Sequence, residues 1–193
     1  MKILIACEFS GIVRDAFIRR GHDAWSCDLL PSERPGPHIQ QEVGSILQGN
    51  GWDLLIAFPP CTDLAASGAR HFPAKIADGR QGRAIDFVRA LLAAPVARIS
   101  VENPVGILSS RIRPPDQIIH PWQFGHEESK KTCLWLRNLP LLIPTDIREI
   151  RNRNLTPSGQ NRIPPGPERW KIRSRTYEGI ANAMAEQWGV DTI

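Results

Sequence analysis

The fold is indicated by residues 2–28, which read KILIACEFSGIVRDAFIRRGHDAWSCD. The apolar run from Lys2 to Cys7 predicts a β-strand. Gly11 to Arg20 has apolar residues at helical spacing, and Gly21 ends that pattern. Asp23 to Cys27 predicts a second strand. Strand, helix and strand in this order are typical of a unit in which the two strands lie parallel.

The same alternation continues further along the chain. Asp53 to Phe58 and Ala97 to Glu102 predict two more strands, and Gln81 to Ala93 predicts a helix between them. Lys131 to Leu136 indicates another strand, and Thr176 to Trp188 indicates a closing helix. We therefore expect an α/β fold of the Rossmann-like class, with a mostly parallel sheet and helices on both faces.

Length and composition exclude several classes of protein. The 193 residues, 41% of them hydrophobic, suit one globular core, so we expect a single domain over residues 1–193. No apolar run approaches the roughly 18 residues of a membrane span, and the N-terminus does not resemble a signal peptide. The four cysteines lack Cys-x-x-Cys and Cys/His spacing. A cytoplasmic protein with free thiols, no metal site and no membrane partner is expected.

Positive charge is concentrated near the C-terminus. The chain carries a net charge of +4, whereas Arg148 to Arg175 alone holds eight basic and two acidic residues. Prolines and arginines without periodicity predict a loop at about 145–175. Such a loop is either a solvated surface or a set of phosphate contacts, and we favour the second. The expected DNA contacts are Arg148, Arg151, Arg153, Arg162, Lys171, Arg173 and Arg175.

Polar or reactive residues follow the predicted strands. They are the pairs Cys7-Glu8, Cys27-Asp28, Pro60-Cys61 and Glu102-Asn103. Ligands of parallel α/β sheets bind beyond the carboxyl ends of the strands, where these pairs would meet. Two prolines before Cys61 would hold its thiol still, although a free cysteine is often only a small buried apolar residue. Burying the Glu102 carboxylate costs free energy unless it is hydrogen-bonded or takes part in function. Its alternative role is to cap the next helix.

These motifs, taken in order, resemble those of the DNA cytosine-5 methyltransferase family. The resemblance rests on Phe9-Ser10-Gly11, Pro59-Pro60-Cys61 and Glu102-Asn103-Pro104, and it covers most of the chain. Lys130 stands where the family has a basic block after an aromatic-Gly pair. The family's large target-recognition domain has no counterpart here except the basic stretch at about 145–175, as in small forms encoded by phages and prophages.

The resemblance implies a reaction and three catalytic residues. The reaction is methyl transfer from S-adenosylmethionine to C5 of cytosine in DNA. Cys61 would add to C6 as the nucleophile, which makes C5 able to attack the methyl group. Glu102 would bond N3 and the exocyclic amine, and Lys130 would offer a cation toward O2. The target base would have to be unpaired or flipped out of the duplex.

The resemblance also implies the residues that bind the cofactor. Asp28 would hold the ribose, and Leu29 would contact the adenine face. Phe9 and Gly11 would line the methionine end. The full expected set is Glu8, Phe9, Gly11, Asp28, Leu29 and Pro59.

Three other functions compete with this interpretation. Enzymes that methylate exocyclic amines have an acid or Asn, then two prolines, then an aromatic residue, whereas Phe58 precedes and Cys61 follows the prolines here. A non-catalytic methyltransferase-like domain that binds DNA remains open. So does methylation of RNA or of a free nucleotide.

Overall fold

The computed structural model describes residues 1–49, 51–149, 163–164, 166 and 168–190. Within these residues seven strands form one sheet. The strands are β1 Lys2–Ala6, β2 Asp23–Asp28, β3 His38–Gln40, β4 Leu54–Ala57, β5 Arg98–Pro104, β6 Gln117–Ile119 and β7 Thr132–Arg137.

The sheet has the order β3-β2-β1-β4-β5-β7-β6. Neighbours from β3 to β5 pair in parallel, and only β7 runs against its neighbours β5 and β6. The chain moves outward from β1 to β3 and then crosses back to β4 on the other side of β1. The order of strands therefore reverses between β1 and β4, which is where ligands bind in sheets of this type.

Helices cover both faces of the sheet. The helices are α1 Ile12–Ile18, α2 Phe72–Ala77, α3 Arg80–Leu92, α4 Leu108–Arg111, α5 Arg169–Ser174 and α6 Glu178–Trp188. The predicted Rossmann-like α/β class, with a mostly parallel sheet between helical layers, is confirmed.

Two apolar cores flank the sheet because side chains alternate between the faces of each strand. On one face, α3 packs Ile85 and Val88 against strand residues such as Leu55. On the other face, α1 and α6 pack Phe17 and Met184 against the opposite sides of β1 and β4. Each face buries apolar area, which holds the carboxyl ends of β1, β4 and β5 in fixed relation.

Candidate active site at the carboxyl edge of the sheet

The chain turns sharply directly after β4 and exposes Cys61. Proline has no N–H to donate, so Pro59 and Pro60 cannot continue the strand pairing. The carbonyl of Cys61 accepts hydrogen bonds from the N–H groups of Leu64 at 3.0 Å and Ala65 at 2.9 Å. Cys61 therefore sits at the start of a closed turn, and it is exposed.

Hydrogen bonds join this turn to the end of β5 and to the segment that follows it. The buried Asn103 amide donates to the carbonyl of Pro59 at 2.9 Å. Two backbone bonds of 2.9 Å follow, from Ala66 N–H to Val105 and from Ile107 N–H to Leu64. Three hydrogen bonds thus join the Cys61 turn to the end of β5 and the segment after it.

A buried lysine holds the other side of the Cys61 turn. The Lys75 ammonium donates to the carbonyl of Thr62 and lies 3.2 Å from a carboxylate oxygen of Asp63. Gln81 donates to the carbonyl of Asp63 at 3.1 Å. Sequence reasoning missed Lys75 and Gln81, because a lone lysine in a six-residue helix and a lone glutamine at the start of α3 carry no pattern.

Glu102 and Lys130 act electrostatically on Cys61. Burial raises the pKa of the Glu102 carboxyl, and the charge of Lys130 opposes that rise. Burial and the charge of Glu102 raise the pKa of the Cys61 thiol, while Lys130 and Arg173 act in the opposite direction. The three predicted catalytic residues therefore share one electrostatic environment. In that environment the free thiol holds its proton at neutral pH.

Lys130 is oriented by the C-terminal part of the chain. Its ammonium donates to the carbonyl of Arg173 at 3.1 Å, just before the end of α5. It also lies 5.8 Å from the ring centroid of Tyr177. The end of α5 thus contacts Lys130, whose charge acts on Cys61.

A cavity of about 290 Å³ adjoins the turn, near the size of small-ligand sites. Its apolar wall includes Leu29, which is 71% exposed, and Phe87. Asp28 and Glu42 supply carboxylates, which accept hydrogen bonds from hydroxyl groups. The lining is Cys7, Cys27, Asp28, Leu29, Gln41, Glu42, Val43, Pro60 and Phe87.

A second groove, of about 370 Å³, lies elsewhere on the sheet. It is lined from the amino ends of β1 and β2 to the edge strand β3, and it includes none of the predicted site residues. In the described part of the chain no cluster of three or more His, Cys, Asp or Glu side chains could hold a metal ion. No described helix is long and apolar enough to span a membrane.

No protein-family model matches this chain, and no curated protein matches it. Among solved structures it is similar to a presumed DNA modification methyltransferase encoded within a prophage of E. coli, with 13% sequence identity and a TM-score of 0.47. The match covers 77% of this chain and 52% of that one, so this chain spans about half of that protein's length. The function proposed below rests on the residues of the site.

Two of the six predicted cofactor residues line the cavity, and the other four do not. Asp28 and Leu29 line the 290 Å³ cavity. Pro59 does not; its carbonyl accepts the bond from Asn103, and the neighbouring Pro60 lines the cavity instead. Glu42 also lines the cavity and was missed, because it follows the three-residue strand β3, which has no sequence periodicity.

The loop after β1 holds the remaining predicted cofactor residues. Glu8 is buried: its Oε1 accepts from the Ser10 hydroxyl at 2.5 Å, and its Oε2 has no hydrogen-bond partner among described residues. Burial raises the pKa of Glu8. Gly11 has a φ of 74°, and a Cβ there would come within 2.5 Å of the Arg14 guanidinium. Phe9 contacts Trp170 edge-on, 6.0 Å between ring centroids.

The predicted DNA-binding residues are only partly described. Arg148 pairs with Asp146 at 2.6 Å, Lys171 with Glu168 at 2.8 Å, and Arg175 with Glu33 at 2.7 Å. These pairs are exposed, and such pairs are weak enough to be replaced by phosphate. The charge of Arg173 opposes the rise in the pKa of Cys61. Arg151, Arg153 and Arg162 lie outside the described residues.

Proposed function

We propose that this protein transfers a methyl group from S-adenosylmethionine to C5 of cytosine in DNA, with Cys61 as the nucleophile. The supporting observation is that an exposed thiol after β4 and a half-buried carboxyl on β5 lie at the same edge of the sheet, joined through the Asn103–Pro59 hydrogen bond, and that the charge of Lys130 acts on both. Cys61, Glu102 and Lys130 supply, respectively, a nucleophile, a hydrogen-bond donor or acceptor, and a cation.

Cys61 begins the reaction by covalent addition. Its thiolate forms a bond to C6 of cytosine, and the electrons of the C5=C6 double bond move toward C5 and N3. S-adenosylmethionine, when bound, supplies an electrophilic methyl group. C5 bonds to that methyl carbon, and the methyl–sulfur bond breaks with its electron pair left on sulfur. Loss of the C5 proton to solvent and cleavage of the S–C6 bond then restore the double bond and the thiolate.

Glu102 is suited to donate a hydrogen bond to the base. Its pKa is raised by burial, so its carboxyl retains a proton to a higher pH than an exposed glutamate. A protonated Glu102 can donate to N3, the atom on which negative charge develops as Cys61 adds. Lys130 is assigned to O2 of the same ring, where a cation stabilises the same charge.

The cavity suits the nucleoside part of the cofactor. Asp28 and Glu42 offer acceptors for ribose hydroxyls, and Leu29 offers an exposed apolar face to adenine. We assign the methionine end to the loop after β1, where Phe9 and Gly11 lie. The unpaired Oε2 of Glu8 is an acceptor in that loop.

Incorporation of labelled methyl groups tests this function. Purified protein and labelled S-adenosylmethionine are incubated separately with DNA, RNA and free cytidine nucleotides. We expect label in DNA alone, at C5 of cytosine, and none with Cys61→Ser, which should still bind the cofactor. Glu102→Gln should lower the rate roughly 10²–10³-fold with little loss of DNA binding.

A substrate analogue that stops the reaction at the covalent adduct provides a second test. DNA that contains 5-fluorocytosine should form a stable adduct with the wild-type protein, because C5 cannot release fluorine as a cation. Normal turnover by Cys61→Ser would remove Cys61 from the mechanism. Label in RNA or nucleotides would change the substrate, and cofactor-independent DNA binding without any transfer would indicate a non-catalytic protein.

A further inference from the structure

Trp170 is a large aromatic side chain left in solvent beside the site. It is 52% exposed, although tryptophan is among the most buried residues on average. The contact with Phe9 covers one part of the indole, and the Lys171 ammonium lies 5.9 Å from the ring centroid. An exposed aromatic ring next to cations is the arrangement that holds bases of unpaired nucleic acid.

The helix that carries Trp170 is fixed on two sides. Arg175, directly after α5, makes two hydrogen bonds to the Glu33 carboxylate, of 2.7 and 2.9 Å. Lys130 donates to the carbonyl of Arg173 at 3.1 Å. Trp170 itself packs on Phe9. Because these contacts hold α5 before any ligand arrives, a base that stacks on Trp170 would meet a ring already in place.

α5 joins the loop after β1 to Lys130. Trp170 contacts Phe9 in that loop, and the carbonyl of Arg173 accepts a hydrogen bond from Lys130, whose charge acts on Cys61. Four basic residues lie in or next to the helix: Arg169, Lys171, Arg173 and Arg175. A strand whose backbone follows these cations would present its bases beside the nucleophile.

We propose that Trp170 stacks on an unpaired base of the DNA strand next to the target cytosine, so that the protein prefers single-stranded or locally opened DNA to intact duplex. The proposal rests on the proposed function, because it takes DNA to be the substrate. Bases inside a duplex already stack on each other and cannot offer a face to Trp170, whereas every unpaired base can.

Binding of fluorescent oligonucleotides tests the proposal without any methylation step. Wild type, Trp170→Leu and Trp170→Phe are titrated with one sequence as single-stranded DNA, duplex DNA and RNA. Leu keeps an apolar contact for Phe9 but loses the aromatic face. Stacking is worth about 1–3 kcal/mol per base, so Trp170→Leu should bind single-stranded DNA about 5- to 150-fold more weakly. Trp170→Phe should keep most of the affinity.

Ile172→Ala is the matched control, because it removes an exposed apolar side chain from the same helix without removing a ring. It should bind like wild type, and all variants should keep their cofactor affinity. Equal binding of wild type and Trp170→Leu to single-stranded DNA would overturn the proposal. Equal losses on single-stranded and duplex DNA, or tighter wild-type binding to RNA than to DNA, would also overturn it.

Photocrosslinking of the unaltered protein removes any dependence on how a variant folds. Single-stranded DNA that contains 5-iodouracil crosslinks to stacked aromatic rings, and the crosslinked peptide should contain Trp170. A crosslink confined to other residues would overturn the proposal. If Trp170 crosslinks and no methyl transfer is detected, the binding proposal stands and the proposed function fails. If methyl transfer is detected and Trp170→Leu binds DNA like the wild type, the proposed function stands and the binding proposal fails.

Discussion

At the scale of single residues, the protonation states of Cys61 and Glu102 depend on each other. Burial raises the pKa of both groups, and the negative charge of Glu102 raises the pKa of Cys61 further. Lys130 acts against both rises. The thiolate is therefore scarce in the free protein, and its formation is controlled by two neighbours of opposite charge.

The rate at which Cys61 is alkylated should depend on the charges of both Glu102 and Lys130. Glu102→Gln removes a negative charge, so the pKa of Cys61 falls and the thiolate fraction at a given pH rises. Lys130→Met removes a positive charge and has the opposite effect. We expect iodoacetamide to modify Cys61 faster in the first variant and more slowly in the second, measured by peptide mass spectrometry. The difference in alkylation rate between Glu102→Gln and the wild type should widen as pH rises from about 7 to 10, because Glu102 of the wild type ionises over that range.

The other cysteines give an internal reference for this measurement. Burial raises the pKa of Cys7 to about 12 and that of Cys27 to about 11, so both should react slowly in every variant. Slower alkylation of Cys61 in Glu102→Gln than in the wild type would contradict the arrangement of charges described here.

Some residues could be predicted from the sequence and others could not. Cys61 and Asp28 could be proposed as site residues because one follows and the other ends a recognisable strand, and ligands of parallel sheets gather there. Arg14 lay off the apolar face of the predicted helix, yet it is fully buried. Its guanidinium donates to Ser26, Ser32 and the carbonyl of Pro35. Partners that lie 12 to 21 residues away leave no local pattern.

At the scale of elements, five strands and three helices were predicted close to their observed bounds, because each has regular apolar spacing. The structure adds β3 and β6, which have three residues each and are too short for a periodic signal. It also places helix α5 inside the stretch predicted as a loop. Half of its sequence, RWKIRS, is basic, and none of its residues is buried.

The close packing of the Cys61 turn against the segment after β5 depends on Gly106. A Cβ at this position would come within 2.1 Å of the Leu64 carbonyl oxygen. Gly106→Ala must therefore push the two segments apart, and overpacking of this kind costs about 1–3 kcal/mol. We expect a corresponding loss in the free energy of unfolding, measured by urea denaturation, together with a lower rate of methylation.

Gly44→Ala provides the control, since nothing lies within 4 Å of a Cβ at Gly44. It should leave both stability and methylation close to wild type. A fully active Gly106→Ala variant would show that the distance between the two segments does not matter for catalysis.

The buried pair of Lys75 and Asp63 holds the turn from the other side. Lys75→Met leaves the Asp63 carboxylate without its cation, and breaking a buried pair in this way costs about 3–5 kcal/mol. The pair is not fully enclosed, so we expect the lower end of that range. Chemical denaturation measures the loss, and Asp63→Asn in the same chain should recover part of it. No recovery in the double variant would assign the loss to the Thr62 contact instead.

At the scale of the whole molecule, charge is distributed unevenly. The segment from Arg148 to Arg175 carries a net +6, so the rest of the chain carries a net −2. A polyanion is attracted to this segment and weakly repelled by the rest of the chain. This asymmetry was visible in the sequence, whereas the contact of the segment with Lys130 and Phe9 depends on the tertiary fold.

The dependence of DNA binding on salt should report this asymmetry. Each phosphate contact contributes about 0.9 to the slope of log affinity against log salt concentration for duplex DNA. Replacing Arg151, Arg153 and Arg162 with Ala should lower the magnitude of the slope by about two to three and weaken binding to all sequences alike. Affinity for S-adenosylmethionine should not change.

A second triple variant controls for net charge. Arg20, Arg89 and Arg111 are exposed and lie outside the basic segment, so their replacement by Ala removes the same charge elsewhere. It should change the slope by less than one. Equal slopes for wild type and the Arg151, Arg153 and Arg162 variant would show that this segment does not hold DNA.

The raised pKa of Cys61 has a consequence for the protein's lifetime in an oxidising environment. Peroxides attack thiolates and leave thiols largely intact, so an exposed cysteine with a low pKa would soon become a sulfenic acid. Cys61 is exposed but holds its proton at neutral pH, which shields it from that damage. The protein atoms around the sulfur, which disfavour its charged form, and the charge of Glu102 where it is ionised thus protect the thiol, and sensitivity to peroxide returns only under conditions that form the thiolate.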